Sequence, residues 1–456
     1  MTDTTTAPQG VEAFGYKQEL HRSLSLFDLL VYGLVFIVPG APIAVFGIVF
    51  NASHGMVPLV YLIGLIAMVF TALSYMAMSH AFPVAGSVYT YAGRSLGETV
   101  GFFAGWALLL DYLLLPALNY VACAIALNAA LPMIPKPVFV AAMLAFATLI
   151  NWLGIQTTAR MNVVLLVIGL VILAVFGAVA GVALTHHVDG ARVSLLPFYN
   201  PHEFTPGILF GALSLAVLSF LGFDAISTLA EESKGGSRAI AAATMLSLCI
   251  CAALFVAQTW LASLFVLGRT SFPAGDATNA AFYNIAQDAG GYWLKFLLTV
   301  PASVFAGTAG ALTAQAATAR LLFGMARDGK LPRVLATVSD RKVPQNAIFL
   351  VAAVTLAIGL FMVEQLELLT SMVSFGALVG FLLLNVSVVA HFIVRQGSRS
   401  WLRHLIAPAV GFVIIAYVLW NAEANAKIAG LSWLAAGAVF YTALRYMGRS
   451  TALPVE

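Results

Sequence analysis

The stretch SFLGFDAISTLAEESKGG, Ser219 to Gly236, closes an apolar run that begins near Pro206. Such a run is long enough to cross a bilayer, since about 20 residues at 1.5 Å each cover roughly 30 Å of hydrocarbon. Yet it carries Gly222 and Asp224 inside and finishes on Glu231 and Glu232. A glycine followed by an acid at that depth predicts a broken helix. The glycine relaxes the backbone, and the acid opens the second half, where it can accept from a free amide and sits well in the helix dipole. Capping is one role for Asp224, and substrate binding or protonation is another; the two are compatible. Glu231 and Glu232 also have two readings: they latch an inner gate by pairing with Arg320, Arg327 or Arg160, or they form a solvated helix end.

The remainder of the chain sets this run in context. Of 456 residues, 61% are hydrophobic and 9% charged, a composition too apolar for a soluble globule and right for an all-α integral membrane protein. About twelve membrane helices are expected, because a lipid-exposed backbone must satisfy its own hydrogen bonds. They begin near Phe27, Met56, Thr99, Pro137, Asn162, Pro206, Ala239, Tyr292, Asn346, Leu368, His404 and Ala429. With a cytoplasmic N-terminus, the inward segments hold 17 of the 22 basic residues, so the positive-inside rule puts both termini in the cytoplasm. The lipid bilayer is then the first partner. The net charge of +3 gives no reason to invoke nucleic acid.

A second break is visible. FIVPGAPIAVFG, residues 36–47, places Pro39, Gly40 and Pro42 in the middle of the first span, where prolines remove backbone donors. Gly222 occupies the same depth five helices later. Matching interruptions of this kind point to an inverted-repeat transporter whose unwound segments line a midplane site. The expected organisation is a tail over 1–25, a first repeat over 26–185, a second over 206–394, two peripheral helices over 402–447 and a tail over 448–456. Glycines at 97, 101 and 105, and the small residues of SVFAGTAGALTAQAATA (303–319), place the third and eighth helices in the bundle core.

Asp111 lies about twelve residues into the third span, roughly 18 Å from its start at 1.5 Å per residue. A carboxylate there costs about 2.5–3.5 kcal/mol on insertion scales, and no Lys or Arg sits at comparable depth in another span. Its counter-charge is a cationic substrate, a bound cation or a proton. Alternatively, a protonated Asp111 hydrogen-bonds to Tyr112, Asn119 or a carbonyl and does no more.

Other chemistries lack their residues. Cys123, Cys249 and Cys251 all fall in apolar spans and suggest neither a disulfide nor a metal site. His186, His187 and Asp189 share one loop without a fourth ligand nearby. The G-x-x-x-x-G-K phosphate loop is missing, which argues against ATP drive by this chain alone. Charge rings and repeated filter sequences of a channel are missing too, and a membrane enzyme would need a nucleophile and base at one depth. No cofactor is called for.

SFLGFDAISTLAEES (219–233), TARLLFGMARDGKLP (318–332) and PVAGSVYTYAGR (83–94) resemble the amino acid, polyamine and organocation superfamily of secondary transporters. GWALLLDYLLLPALNY (105–120), SFGALVGFLLLNVSVVAHF (374–392) and LWNAEANAKIAGLSW (419–433) resemble its bacterial putrescine importers. The likeness runs from about residue 20 to 445. It implies ten core helices in two inverted halves plus two peripheral ones, in a bacterial cell membrane. It further implies proton-driven uptake through a site between helices 1, 3, 6, 8 and 10. On matching positions, Val38, Gly40 and Ala41 become one unwound segment, and Phe220, Gly222, Phe223 and Asp224 the other. Asp111, beside Tyr112, becomes the amine-facing carboxylate and, with Asp224, a candidate for proton coupling. Phe220 or Phe223 becomes a gate or cation-π face, and Ser371, Ser374 and Phe375 close the site from outside.

The chain departs from those importers at Ala44, where they carry an acid. A diamine has two ammonium groups to satisfy, and an unpartnered one is costly to desolvate. Ala44 therefore favours a substrate with a single ammonium. The reading is a proton-coupled importer of a small organic amine such as putrescine or a monoamine. The alternative is an amino acid symporter driven by H+ or Na+, with a zwitterionic substrate whose carboxylate meets the amides of Gly40 and Ala41.

Overall fold

A computed structural model describes residues 12, 15–363, 365–422 and 424–446. Most of the expected N-terminal tail up to residue 14, and all of 448–456, lie outside the described residues. Among those described, every regular element is helical, with a single parallel bridge between Leu24 and Ser233.

The first span is a bent pair. Helix α1 (Leu26–Ile37) starts at a capping box in which the Ser25 Oγ accepts from the Asp28 amide at 3.3 Å and Asp28 accepts from the Ser25 amide at 2.8 Å. It stops at Val38, whose φ of 63° is unusual for a β-branched residue. Pro39 and Gly40 make the turn, and α2 (Ala41–Ser53) continues at 43° with Pro42 in its first turn. Helices α3 (Val57–Ala81), α4 (Val88–Leu96), α5 (Glu98–Ala130), α6 (Lys136–Leu153) and α7 (Ile155–Thr185) follow.

The second half opens with α8 (Pro206–Ala216), capped by the Thr205 hydroxyl. It ends in a short 3-10 turn at Phe220 and resumes past Gly222, whose φ is 119°, as a 3-10 helix over Phe223–Glu232. Then come α9 (Gly236–Ser263), the short α10 (Asp276–Asn279), α11 (Ala281–Gly290) and α12 (Tyr292–Thr299), and α13 (Pro301–Arg327). The chain closes with α14 (Gln345–Phe361), α15 (Leu366–Val388), α16 (Ala407–Trp420) and α17 (Ala424–Tyr446).

Nine helical stretches among the described residues are long and apolar enough to span a membrane, and the bent pair makes ten. Of the about twelve expected, two fall outside that set. They are Gln345–Phe361, apolar but of 17 residues, and Ala424–Tyr446, of 23 residues. The fifth span begins at Ile155, not near Asn162, because Gly154 at φ 126° turns the chain and the polar QTTAR segment then winds as helix.

Counterparts of the two halves lie together: α3 runs along α9, α5 along α13 and α6 along α14. The two breaks also touch, since a Cβ at Gly222 would stand 2.9 Å from the Phe36 carbonyl carbon and 3.0 Å from its oxygen. Helix α17 is clasped to α5 by two indole donors: Trp106 Nε1 donates to the Trp433 carbonyl at 2.8 Å, and Trp433 Nε1 to the Trp106 carbonyl at 2.7 Å.

Candidate functional site

The first break is only partly free. The Ala41 amide donates to the Val38 carbonyl at 2.8 Å, so of the two amides expected to be available only that of Gly40 is without an acceptor among the described residues. The Pro39 carbonyl accepts from Gln258 Nε2 at 2.8 Å. This tie holds the turn to α9.

At the second break, Asp224 is buried and fully engaged. Its Oδ1 accepts from the Gly222 amide at 3.2 Å, and its Oδ2 accepts from the Tyr112 hydroxyl at 2.6 Å. The Tyr112 carbonyl in turn accepts from Thr318 of α13 at 2.6 Å, and its ring stands 6.0 Å from that of Phe36. One tyrosine thus joins α1, α5, α13 and the second break.

Asp111, beside Tyr112 on α5, is 3% exposed, and its Oδ1 has no hydrogen-bond partner among the described residues. Asp111 and Asp224 are close enough for their charges to interact. Helix α15 comes in directly beside this carboxyl because position 376 is glycine. A Cβ there would lie 2.6 Å from the Ala107 carbonyl oxygen and 2.7 Å from the Asp111 amide. Gly376 and Gly380, four apart in SFGALVG, carry the signal for that close approach.

The aromatic and hydroxyl residues expected nearby are distributed differently. Phe220 packs on Tyr61 and Phe255, with ring centroids 6.0 and 5.1 Å away, and so belongs to the wall formed by α3 and α9. Phe223 packs on Tyr75 at 5.7 Å and Phe381 at 5.5 Å. Phe375, expected to close the site, lies against Gly430 of α17, because that glycine leaves room for its ring. The Ser374 hydroxyl donates to the Thr370 carbonyl of its own helix at 2.9 Å. Ser371 lies on α15, with its side chain outside the described ones.

A cavity of about 210 Å³ opens against the first break. Val38, Gly40, Ala41 and Ala44 form one wall, and Leu165, Gly169 and Leu173 of α7 face them. Its few polar groups are Asn119, Cys123, Ser303 and Tyr283; the sequence named Asn119 only as a partner for Asp111 and Cys123 only as a residue of an apolar span, and gave no sign of the other two. No acid lines it. Asn119 is two helical turns along α5 from Asp111, roughly 12 Å at 1.5 Å per residue, so Asp111 lies deeper, towards the end of the bundle richer in basic residues.

That basic end is closed. Arg320 donates to both oxygens of Glu232, each at 2.9 Å, and to the Ala316 carbonyl at 2.8 Å; both side chains are at most 2% exposed. Arg327 forks onto Glu231 at 2.8 and 3.1 Å, and the Ala85 amide donates to the same carboxylate at 2.9 Å. The pairing leaves no solvated helix end: Glu231 and Glu232 are buried, whereas Arg160, the third partner considered, is exposed.

The segment before α1 adds a layer that composition could not reveal. The amides of Ser23 and Leu24 donate to the Glu232 carbonyl at 3.0 Å, and Gln18 Nε2 donates to the Glu231 carbonyl at 2.9 Å. The Tyr16 ring carries the Arg327 guanidinium at 3.9 Å. The hydroxyls of Tyr16 and Tyr89 both donate to Asp328, at 2.9 and 2.8 Å. Burial pushes the Asp328 carboxyl above its ordinary range, opposed by those two hydroxyls and by the Arg327 charge.

Comparison with known proteins agrees with this architecture. A family model described as amino acid permease matches residues 29–444. The low-affinity putrescine importer PlaP of Escherichia coli is 33% identical over 92% of this chain and 93% of its own. The branched-chain amino acid permease BcaP of Bacillus subtilis is 25% identical over 94% of each chain, and the methylthioribose transporter of the same organism 26% over 93% of each. The two interrupted spans, the buried carboxyl pair beside them and a match across nearly the whole length together make this chain an integral membrane transporter of the amino acid permease family.

Proposed function

We propose that the protein imports a small organic amine bearing one ammonium group, driven by the inward proton gradient. The observation that carries this is the unpartnered Oδ1 of Asp111. The other acids of the two breaks and the gate have donors: Asp224 has Tyr112 and Gly222, Glu231 has Arg327, and Glu232 has Arg320. A buried carboxyl left open where the neighbouring acids have their donors is suited to a partner that comes and goes. A substrate ammonium supplies the charge, and a proton relieves it when the site is empty.

The single ammonium is supported by the cavity, whose described lining includes Ala44 and no acid that could meet a second ammonium. By the positive-inside rule the basic end faces the cytoplasm. The closed ion pairs there then fit a state shut on the cytoplasmic side. Asp224, held by the break itself, is the second candidate for carrying the proton.

An amino acid is the second reading. It rests on the Gly40 amide, free beside the cavity and able to donate to a substrate carboxylate.

The test is uptake into proteoliposomes under an inward proton gradient, using labelled putrescine, ethanolamine, lysine, alanine and leucine in turn. Accumulation of ethanolamine that collapses with a protonophore, with little putrescine uptake, is the expected result. Putrescine accumulation would show that Ala44 does not exclude a second ammonium. Accumulation of alanine or leucine alone would select the amino acid reading.

A further inference from the structure

Outside the transport pathway, a groove of about 500 Å³ runs between α6 and α14. Its lining is small and aliphatic, with Ala145, Ala352 and Ala353 leaving space between the bulkier Trp152 and Phe349 and Leu144 buried beneath. Its hydroxyl, on Thr148, is already engaged, accepting from Gln315 Nε2 of α13 at 2.9 Å. Along its length the groove therefore offers mainly hydrocarbon contact, with the Trp152 indole at one end.

Its ends differ. Away from the basic end the two helices meet closely, since a Cβ at Gly359 would stand 2.9 Å from the side chain of Val140. At the basic end the groove finishes at Trp152, and the guanidinium of Arg341 lies over that indole ring, 3.8 Å from its centre. The turn carrying Arg341 is held by backbone bonds from Ser339 to Val343 at 3.0 Å and from Lys342 to Ser339 at 2.8 Å. Arg341 is exposed and pairs with no carboxylate among the described residues; Asp340 and Lys342 flank it in sequence. From Ala141 to Trp152 the groove runs roughly 16 Å at 1.5 Å per residue. That is close to half of a hydrocarbon core about 30 Å thick.

We propose that this groove binds one anionic phospholipid of the leaflet at the basic end, with an acyl chain along its alanines and leucines and its phosphate on Arg341. The length matches one leaflet, and the uncompensated guanidinium sits at the level where the headgroup begins. A planar guanidinium takes a phosphate through two parallel donors. An anionic headgroup neutralises it outright, whereas a zwitterionic one brings its own cation. The indole beneath keeps the guanidinium at the groove mouth through a cation-π contact.

The test is native mass spectrometry of the full-length protein in detergent, titrated with phosphatidylglycerol or phosphatidylcholine, with thermal melting to confirm that each variant is folded. Wild type should retain one phosphatidylglycerol at concentrations where phosphatidylcholine is not retained. Arg341→Gln should weaken phosphatidylglycerol about fivefold and leave phosphatidylcholine unchanged. Ala353→Phe, which fills the groove and keeps the charge, should expel the lipid and decides the matter alone should Arg341→Gln fail to fold. Equal retention of both lipids, wild-type retention by either folded variant, or a dimer that Ala353→Phe dissolves without loss of lipid would overturn the proposal.

Discussion

The Tyr112 hydroxyl donates to Asp224 Oδ2 at 2.6 Å, linking the helix that carries Asp111 to the break in the sixth span. A movement of either segment must stretch or break this bond. Tyr112→Phe should lower thermal stability, by about 1–3 kcal/mol for a buried acceptor left with one donor fewer. It should also shift the pH profile of uptake, as should Asp224→Asn. Initial rates across a pH series check this; reduced stability with an unchanged profile would leave the bond a structural tie and Asp224 a helix cap.

The Glu232–Arg320 pair is a two-donor contact without solvent. Glu232→Gln strands a buried guanidinium, a change that costs about 3–5 kcal/mol. The variant should melt earlier and label faster at a cysteine introduced at Ser227, which is buried behind the gate. Adding Arg320→Met should recover most of the lost stability, because it removes the stranded charge.

Gly376 sets how closely α15 approaches Asp111. Gly376→Ala would push a methyl into the backbone of α5 at Ala107 and Asp111. Overpacking of this kind costs about 1–3 kcal/mol. Uptake should fall at least tenfold while Gly177→Ala, a control within α7 with open space around it and no positive φ, leaves uptake near wild type.

The Asp328 carboxyl gives a prediction with a definite sign. Its folded pKa is raised by burial, so its contribution to stability is fully present below the unfolded value of about 3.9. That contribution is lost as pH rises through the folded value. Melting temperatures from pH 4 upward should show wild type losing ground relative to Asp328→Asn; parallel curves would contradict it.

The sequence made some of this legible. Gly222 and Asp224 announced the second break because a flexible residue and a charge inside an apolar run have few other uses, and Pro39, Gly40 and Pro42 announced the first. Glu231 and Glu232 named their partners only as a choice among three arginines, since burial of a helix end depends on what docks over it. Here residues 15–24 do so, and a polar tail gives no sign of that. Side-chain direction past a break does not follow a 3.6-residue period. Phe220 and Phe223, three apart, consequently face different neighbours from those a regular helix would suggest. The packing of Phe375 was not legible for another reason: it rests against Gly430, 55 residues further on, a relation that no local pattern contains.

The central claim is that Asp111 is the counter-charge for the substrate's ammonium. The most direct measurement is proton-driven uptake of a labelled monoamine into proteoliposomes by wild type and Asp111→Asn, prepared side by side and matched for melting temperature. The account predicts that Asp111→Asn, folded as wild type, loses at least 95% of uptake, the order expected when roughly 2 kcal/mol or more of charge-assisted binding is removed. Wild-type uptake by that variant would contradict the account and make Asp111 a buried structural residue.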